Sequence, residues 1–208
     1  MKNVLKLAAS AGLLLGVSLH ANAALVTSMS GTSVTIAPIN YEGAGPVAVD
    51  SNTTWQSTQG NSVYGYTGPY GLDGNGRWNS GSYIGLNATD GTMTFSFDTA
   101  IAGFGGFFNY ARDNYGSAVI AAYNANGQLL ESHVLDISTP GGVNAGSFYG
   151  FLRETADIAS FTLSGAYIVG RDFVVQEGQS EVPEPASLAL LGLGLAGFAA
   201  ARRSARKH

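Results

Sequence analysis

Thr92-Met93-Thr94-Phe95-Ser96-Phe97 alternates polar and apolar side chains at every position. Successive side chains of an extended chain point to opposite faces, so Met93, Phe95 and Phe97 would share one face. This period of two predicts a strand with one buried and one solvated face. Gly, Ser, Thr and Asn dominate the surrounding chain, where helical periodicity is nearly absent. The stretch therefore indicates an all-β domain.

Comparable patterns recur at short intervals on both sides of this strand. Residues 118–123 and 128–135 flank Asn126-Gly127, a pair that suits a tight turn with positive φ, so they predict a β-hairpin. Further strands are expected at residues 160–164, ending at Gly165, at Val26–Ile39 as the first strand and at Tyr167–Val175 as the last. Short strands joined by Gly-rich turns predict a jelly-roll-like β-sandwich over residues 24–178.

Residues 50–91 are polar, rich in glycine and rich in aromatic side chains, and we expect short strands and long loops there. The aromatic residues are Trp55, Tyr64, Tyr66, Tyr70, Trp78 and Tyr83. They could form a platform for sugar rings, with Trp78 and Asn79 as the suggested glycan contacts. The alternative is that the rings pack the interior of the sandwich, which is the usual role of large aromatic side chains.

The first 23 residues have the parts of a secretory signal peptide. Lys2 and Lys6 precede an apolar run from Leu7 to Leu19, and Ala21-Asn22-Ala23 forms a cleavage site before Ala24. We therefore exclude residues 1–23 from the fold and expect the secretion machinery as a partner. The chain has no cysteine, which excludes both a disulfide framework and lipid attachment to a cysteine.

The C-terminal region combines three elements in a fixed order. Residues 179–185 form a linker that ends in Val182-Pro183-Glu184-Pro185, whose prolines favour an extended chain. Residues 186–201 are apolar and predict a transmembrane helix of about 24 Å, short against a hydrocarbon core of about 30 Å. Residues 202–208 form a basic tail, which the positive-inside rule keeps in the cytoplasm.

This order of motif, apolar helix and basic tail closely resembles the PEP-CTERM sorting signal of Gram-negative bacteria. The resemblance covers residues 182–208 and implies an exported protein whose partner is exosortase, a membrane enzyme that cuts near the motif. A permanent membrane anchor at residues 186–201 is the alternative. Gly103–Phe108, Phe148–Phe151 and Arg171-Asp172-Phe173 carry a looser resemblance to jelly-roll domains of exported proteins with this tail.

The charge of the exported part differs from that of the whole chain. Residues 24–185 hold four arginines, no lysine and all fourteen acidic residues, a formal balance of −10 against −4 for the whole chain. Such a domain repels phosphate backbones, which argues against a nucleic-acid partner. It is compatible with neutral glycans, divalent cations or solubility outside the cell.

Related sandwiches often hold a structural Ca²⁺ between a carboxylate near the first strand and an Asp near the last. Glu42 and Asp172 could occupy those positions, and Ca²⁺ would need further oxygen ligands. Arg171 stands where the resemblance places another Asp, which favours a salt-bridged or surface role over a metal site. We therefore expect no cofactor, with a structural calcium ion as the alternative, and we leave the metal unassigned.

Catalytic motifs are missing from the sequence. It has no G-x-S-x-G elbow, no H-E-x-x-H pair and no thiol nucleophile, and His133 lies on a predicted strand, where we expect it to face solvent. We expect no enzyme and assign no catalytic residue. The resemblance to exported proteins with this sorting signal implies a structural or adhesive protein of the cell surface or extracellular matrix, linked to exopolysaccharide or biofilm. A carbohydrate-binding module is the first alternative and a glycan-active hydrolase the second.

Overall fold

The computed structural model describes residues 24–79 and 81–178. The predicted signal peptide, linker, apolar helix and basic tail lie outside these residues. A short 3-10 turn spans Asp73–Asn75. The strands of the described chain are β1 (Ala24–Val26), β2 (Thr32–Val34), β3 (Tyr41–Glu42), β4 (Val47–Ala48), β5 (Thr53–Ser57), β6 (Val63–Tyr66), β7 (Tyr70–Gly71), β8 (Arg77–Trp78), β9 (Tyr83–Gly85), β10 (Thr92–Ile101), β11 (Gly103–Asn109), β12 (Val119–Tyr123), β13 (Leu129–Val134), β14 (Ser147–Leu152), β15 (Ile158–Ser164) and β16 (Val169–Gln176).

Two antiparallel sheets contain most of these strands. The eight-stranded sheet has the order β1-β14-β11-β16-β9-β6-β3, with β2 also paired to β16. The six-stranded sheet has the order β13-β12-β15-β10-β5-β4, and β7 and β8 pair separately. From β10 to β16 the chain alternates between the two sheets, except at the hairpin of β12 and β13. This arrangement confirms the predicted all-β sandwich.

A phenylalanine core fills the space between the sheets. Met93, Phe95 and Phe97 of β10 point inward and are buried, as their alternation predicts. Phe104 lies at the centre, with its ring centroid 4.9 Å from that of Phe95 in the facing sheet. Each fully buried ring of this size stabilises the fold by about 1.5–3 kcal/mol. The fully buried rings of this core are Trp55, Tyr64, Phe95, Phe104, Phe108, Phe151, Phe161 and Phe173.

A second buried group, the tyrosine–tryptophan cluster, lies beside the core. It consists of Val63, Tyr70, Leu72, Trp78, Tyr83 and Val169. The rings of Tyr70 and Trp78 each form a T-shaped pair with the Tyr83 ring, at centroid distances of 6.0 and 5.8 Å. The cluster draws on the short strands β6, β7, β8 and β9, and thus on the region expected to contain short strands and long loops.

The first predicted strand, Val26–Ile39, is wrong as a single element. The chain forms β1 at one edge of the eight-stranded sheet, crosses the outer face as a strap of residues 27–31, and forms β2 beside β16. Val26 and Ser33 share one row of the sheet four strand spacings apart, about 19 Å. Glycine at position 31 lets the end of the strap lie close to β16, because a β-carbon there would collide with the Val175 carbonyl oxygen.

A β-bulge interrupts β16 where it passes the middle of β11. Gly105 pairs with Val174 and Phe107 with Arg171, so β16 has one residue more than β11 between these pairs. Asp172 takes a positive φ of 50° there. Opposite the bulge, a β-carbon at Gly106 would lie 2.6 Å from the Phe173 ring, so glycine is needed at this position. The bulge turns Phe173 into the core and leaves Asp172 exposed.

Candidate functional site

Trp78 lies in the interior of the protein and offers no face to a ligand. Its side chain is 0 % exposed and belongs to the tyrosine–tryptophan cluster. The suggestion that this ring stacks on a sugar is therefore wrong for this fold, because neighbouring rings and the loop before β14 cover it. The adjacent Asn79 is exposed.

A network of buried amides fixes Trp78 in place. The indole Nε1 donates to Asn144 Oδ1 at 3.2 Å, and Asn109 Nδ2 donates to the same oxygen at 3.0 Å. Asn75 Nδ2 donates to Asn109 Oδ1 at 2.7 Å and to the carbonyl oxygens of Tyr110 and Ile137 at 2.9 and 3.0 Å. Buried polar groups that are all bonded in this way rigidify the loops they join. The network therefore supports the loops around Trp78.

The two proposed calcium ligands are not neighbours. Glu42 lies on β3 at the edge of the eight-stranded sheet, while Asp172 lies on β16, with β9 and β6 between them. Glu42 instead borders a separate cleft of about 360 Å³ with Tyr66 and Asn87. Within residues 24–79 and 81–178, no group of three Asp, Glu, His or Cys side chains is placed to hold a metal ion. Glu42 and Asp172 therefore do not share a site.

Arg171 connects the bulge to the tyrosine–tryptophan cluster. Its guanidinium lies 4.8 Å from the centre of the Trp78 ring, which is a cation–π contact. Its Nε is 3.5 Å from Asp172 Oδ2, and 16 % of the arginine side chain is exposed against 70 % for the aspartate. The expectation of a salt-bridged Arg171 thus agrees with this geometry, and Asp172 is left facing an open cleft.

This opening, the aromatic cleft, lies on the outer face of the eight-stranded sheet. It has a volume of about 630 Å³, within the range of small-molecule sites. The strap, β2 and the bulge of β16 all contribute residues to its lining. The lining residues are Thr27, Ser28, Met29, Ser33, Val34, Thr35, Ile36, Ser82, Phe107, Phe148, Asp172, Phe173 and Val174.

Two half-buried rings and two polar groups give the aromatic cleft its chemistry. Phe107 and Phe148 meet edge to face at 5.6 Å between centroids, with part of each ring exposed. Ser82 Oγ is buried and has no hydrogen-bond partner among the described residues. Asp172 supplies a carboxylate. The arrangement can hold a ligand that combines an apolar face with hydroxyl groups.

Sequence reasoning did not select Phe107, Phe148 or Ser82. The available signal was the alternation in Gly103–Phe108, which places Phe104 and Phe108 on one face and Phe107 on the other. His133 also differs from expectation. It is half-buried and stacks on Tyr149 at 5.5 Å between centroids, so it does not simply face solvent.

Among the described residues, the pKa is shifted at tyrosines in the interior. Burial, with a smaller effect of the Asp50 charge, raises the pKa of Tyr64 from 10.0 to about 12. Burial also raises the pKa of Tyr70, Tyr83 and Tyr110. The hydroxyls of Tyr70, Tyr83 and Tyr110 donate to backbone carbonyls, as Tyr70 does to Leu86 at 3.1 Å and Tyr110 to Leu135 at 2.8 Å. Their shifts therefore follow from structural burial.

Membrane insertion is addressed by the structure only in part. Across residues 24–79 and 81–178, no helix has the length and apolar character needed to cross a bilayer. The predicted transmembrane segment at 186–201 lies outside the described residues. The signal-peptide cleavage site at Ala21, Ala23 and Ala24 has only its last residue inside them, as the first residue of β1.

Comparison with known proteins identifies one segment of the chain. No curated protein and no solved structure matches the chain. Residues 181–204 match the family model described as the PEP-CTERM protein-sorting motif, and this range contains Pro183-Glu184-Pro185. The resemblance noted in the sequence is therefore confirmed. The chain carries a PEP-CTERM protein-sorting motif, which makes exosortase its sorting partner and the cell envelope its destination.

Proposed function

We propose that this protein is a structural or adhesive component of the cell surface or extracellular matrix, associated with exopolysaccharide. The observation that carries the proposal is the placement of the sorting motif. The match begins at residue 181, five residues after the last strand of the β-sandwich ends at Gln176. The segment to be sorted is thus a rigid domain on a short linker, as expected for a displayed or matrix protein. We further propose that exosortase cleaves near Pro183-Glu184-Pro185 and releases residues 186–208.

Intact-mass measurement on protein from its native host tests the processing step. We expect a species that begins at Ala24 and ends near the motif, recovered from the envelope, matrix or medium. A Glu184→Ala variant should remain uncut in the membrane fraction. Asn79→Ala serves as its matched control, because Asn79 is an exposed residue of the β-sandwich domain outside the motif. A wild-type protein that still ends at His208 in every fraction would contradict cleavage.

The matrix role is tested in a strain that lacks the protein. Loss of the protein should reduce the amount of matrix polysaccharide retained on the cells, and wild-type protein should restore it. The Glu184→Ala protein should not restore it, because its domain would stay in the membrane. Unchanged retention of matrix in the deletion strain would contradict the structural role.

The aromatic cleft favours carbohydrate binding as the second candidate function. Sugar rings have apolar C–H faces and hydroxyl edges, which match Phe107 and Phe148 on one side and Ser82 and Asp172 on the other. Among the described residues, those that line the cleft include no lysine, arginine or histidine, so a neutral glycan suits it better than a phosphorylated or sulfated one. An apolar site with a few placed polar groups is the common form of small-ligand sites.

Glycan-array binding with purified full-length protein tests this second function. We expect Phe107→Ala and Phe148→Ala each to abolish or greatly reduce binding to neutral glycans. Val134→Ala is the matched control, because Val134 is an exposed apolar side chain on β13 in the other sheet. Wild-type protein that binds no glycan would contradict the function, and equal losses in all three variants would contradict the site.

A glycan-active hydrolase has less support. Hydrolysis of this kind uses two carboxyl groups about 5–9.5 Å apart across the scissile bond. Asp172 is the only carboxylate among the residues that line the aromatic cleft in the described chain. We therefore propose a binding role for this site and no catalytic role.

A further inference from the structure

The register of the eight-stranded sheet places both ends of the described chain at one end of the sandwich. Ala24 pairs with Leu152, Leu152 with Gly103, and Gly103 with Gln176. These residues form one row across β1, β14, β11 and β16, so Ala24 and Gln176 are three strand spacings apart, about 14 Å. We name this side of the molecule the proximal end.

The opposite side, the distal end, carries different loops. Asn109 pairs with Val169 and Phe108 with Ser147, so β11 ends and β14 begins there. The six residue steps of β11 separate the two ends by about 20 Å. The loop before β14, with the exposed Val143, belongs to the distal end.

The short linker limits which end can approach the sorting enzyme. Five residue steps join Gly178, the last described residue, to Pro183 of the motif. A fully extended chain of this length reaches about 17 Å. An enzyme acting at the motif therefore lies within that distance of Gly178, which is less than the length of the sandwich.

The proximal end has a defined surface at the point where the linker leaves. A cleft of about 600 Å³ is lined by Ser51, Asn52, Thr99, Ala100, Ile101, Ala156, Glu177 and Gly178. The loop between β4 and β5 is fixed to the end of β10, because Asn52 Nδ2 donates to the Thr99 carbonyl at 3.1 Å and Thr99 N donates to Asn52 Oδ1 at 2.6 Å. This surface is therefore preformed.

The charge of the proximal end is acidic. Residues 50–52, 98–101, 153–157 and 176–178 hold five carboxylates and one arginine. That arginine, Arg153, is 7 % exposed and is paired with Asp157 through both its Nε and its Nη2. Asp50, Asp98, Glu154 and Glu177 therefore dominate the field at this surface, which complements a cationic protein surface and is repelled by anionic lipid.

We propose that the proximal end is the surface against which exosortase docks while it acts on the motif. The enzyme contacts residues 50–52, 154–156 and 177–178 through a polar, positively charged surface. The distal end, with its amide network and the tyrosine–tryptophan cluster, points away from the enzyme and the membrane.

Site-directed crosslinking in whole cells tests this orientation, and the absence of native cysteine makes the labelling specific. A benzophenone maleimide is attached to the full-length precursor at Ser51→Cys, at Ala156→Cys or at the distal Val143→Cys. All three positions are exposed. Conditions are set with Ser180→Cys in the linker, which must yield an adduct with exosortase. We expect adducts from Ser51→Cys and Ala156→Cys and none from Val143→Cys.

A change of charge at the proximal end tests whether exosortase binds this surface or only lies near it. Glu154→Lys together with Glu177→Lys should slow cleavage at the motif, measured as precursor remaining in a pulse–chase experiment. Glu131→Lys, on the edge strand β13, should leave cleavage unchanged. Adducts from Val143→Cys as strong as those from Ser51→Cys, or equal cleavage rates in both charge variants, would overturn the proposal.

Discussion

The phenylalanine core and the tyrosine–tryptophan cluster are both closed to solvent, yet they are assembled in different ways. The core joins long strands of two sheets, and its packing is apolar, as in the contact between Phe104 and Phe161 at 4.9 Å. The cluster is built mainly on strands of two to four residues, and its position depends on hydrogen bonds to loop amides, such as that from Trp78 to Asn144. Apolar packing fixes the first region, and directional bonds fix the second.

This difference indicates that the two regions serve different purposes. A core packed by alternating strands stabilises the whole fold, because both sheets contribute buried side chains to it. Buried amides that bond loops far apart in the sequence hold those loops in one local geometry and leave them little freedom to repack. The two tryptophans separate the regions experimentally, because Trp55 lies in the core and Trp78 in the cluster.

The largest expected effect is alkaline unfolding, to which buried tyrosines of both regions contribute. Below pH 10.0, the ordinary tyrosine pKa, tyrosines are neutral in both states. Above it the unfolded tyrosines ionise, whereas Tyr64 stays neutral up to its raised pKa of about 12, and Tyr70 and Tyr83 behave alike. The free energy of unfolding therefore falls steadily from pH 10 to 12, and we expect unfolding in this window by circular dichroism.

Tyr70→Phe provides the control for this titration. It removes one ionisable group together with the hydrogen bond to the Leu86 carbonyl. Stability at pH 7 should fall by about 1 kcal/mol, while the alkaline midpoint moves to higher pH. A midpoint that moves down, or a fold that persists above pH 12, would show that burial does not control these tyrosines.

Removal of the central ring should have the next largest effect. Phe104→Ala leaves a cavity among Phe95, Phe161 and Phe173 and should lower the free energy of unfolding by about 3–5 kcal/mol in urea titrations. Trp55 and Trp78 should report the same shift, because the core supports both regions. Phe107→Ala, a half-buried ring on the outer face of the same strand, is the control and should cost clearly less.

A change in the amide network should act mainly on the second region. Asn75→Ala removes the donor that serves Asn109, Tyr110 and Ile137 and should lower stability by about 2–3 kcal/mol. Hydrogen exchange should accelerate in residues 137–146, and Trp78 fluorescence should change in a Trp55→Phe background. Asn114→Ala, an exposed amide bonded to Asp73, should change stability by less than about 0.5 kcal/mol. Equal exchange throughout both regions would remove the distinction drawn between them.

The smallest expected effect concerns the cation–π contact at the boundary of the cluster. Arg171→Lys keeps the charge but loses the planar group above Trp78, and it should cost about 1–2 kcal/mol. Trp78 emission should shift in the same Trp55→Phe background. Arg112→Lys, whose side chain is 36 % exposed, should leave the emission unchanged. Identical spectra for the two variants would refute the contact.

The same contrast explains what the sequence could and could not predict. Alternation identified β10, and Asn126-Gly127 identified the hairpin of β12 and β13, because both signals are local. The burial of Trp78 depends on Asn144, 66 residues further along the chain. The strap was predicted as strand because its flanking residues favour extended structure, and its crossing depends on the close approach of Gly31 to Val175 in the distant strand β16.

The candidate site shows the same limit. Glu42 and Asp172 were paired by resemblance, but strand order separates them, and strand order is not a local property. Phe107 and Phe148 meet only because β11 and β14 pair in the observed register. Alternation alone does not show whether Phe107 or Phe108 faces outward. The aromatic cleft could therefore not be located before the pairing of the strands was known.

The way in which the arginines are placed has a consequence for survival outside the cell. Proteases of trypsin specificity cut after lysine or arginine, and the described domain offers them no lysine and only Arg77, Arg112, Arg153 and Arg171. Arg153 is held by Asp157 and Arg171 lies over Trp78 within a strand, so neither side chain can enter a protease pocket while the fold persists. Among the described arginines, only Arg77 and Arg112 are therefore left as cleavage sites for such enzymes while the fold persists.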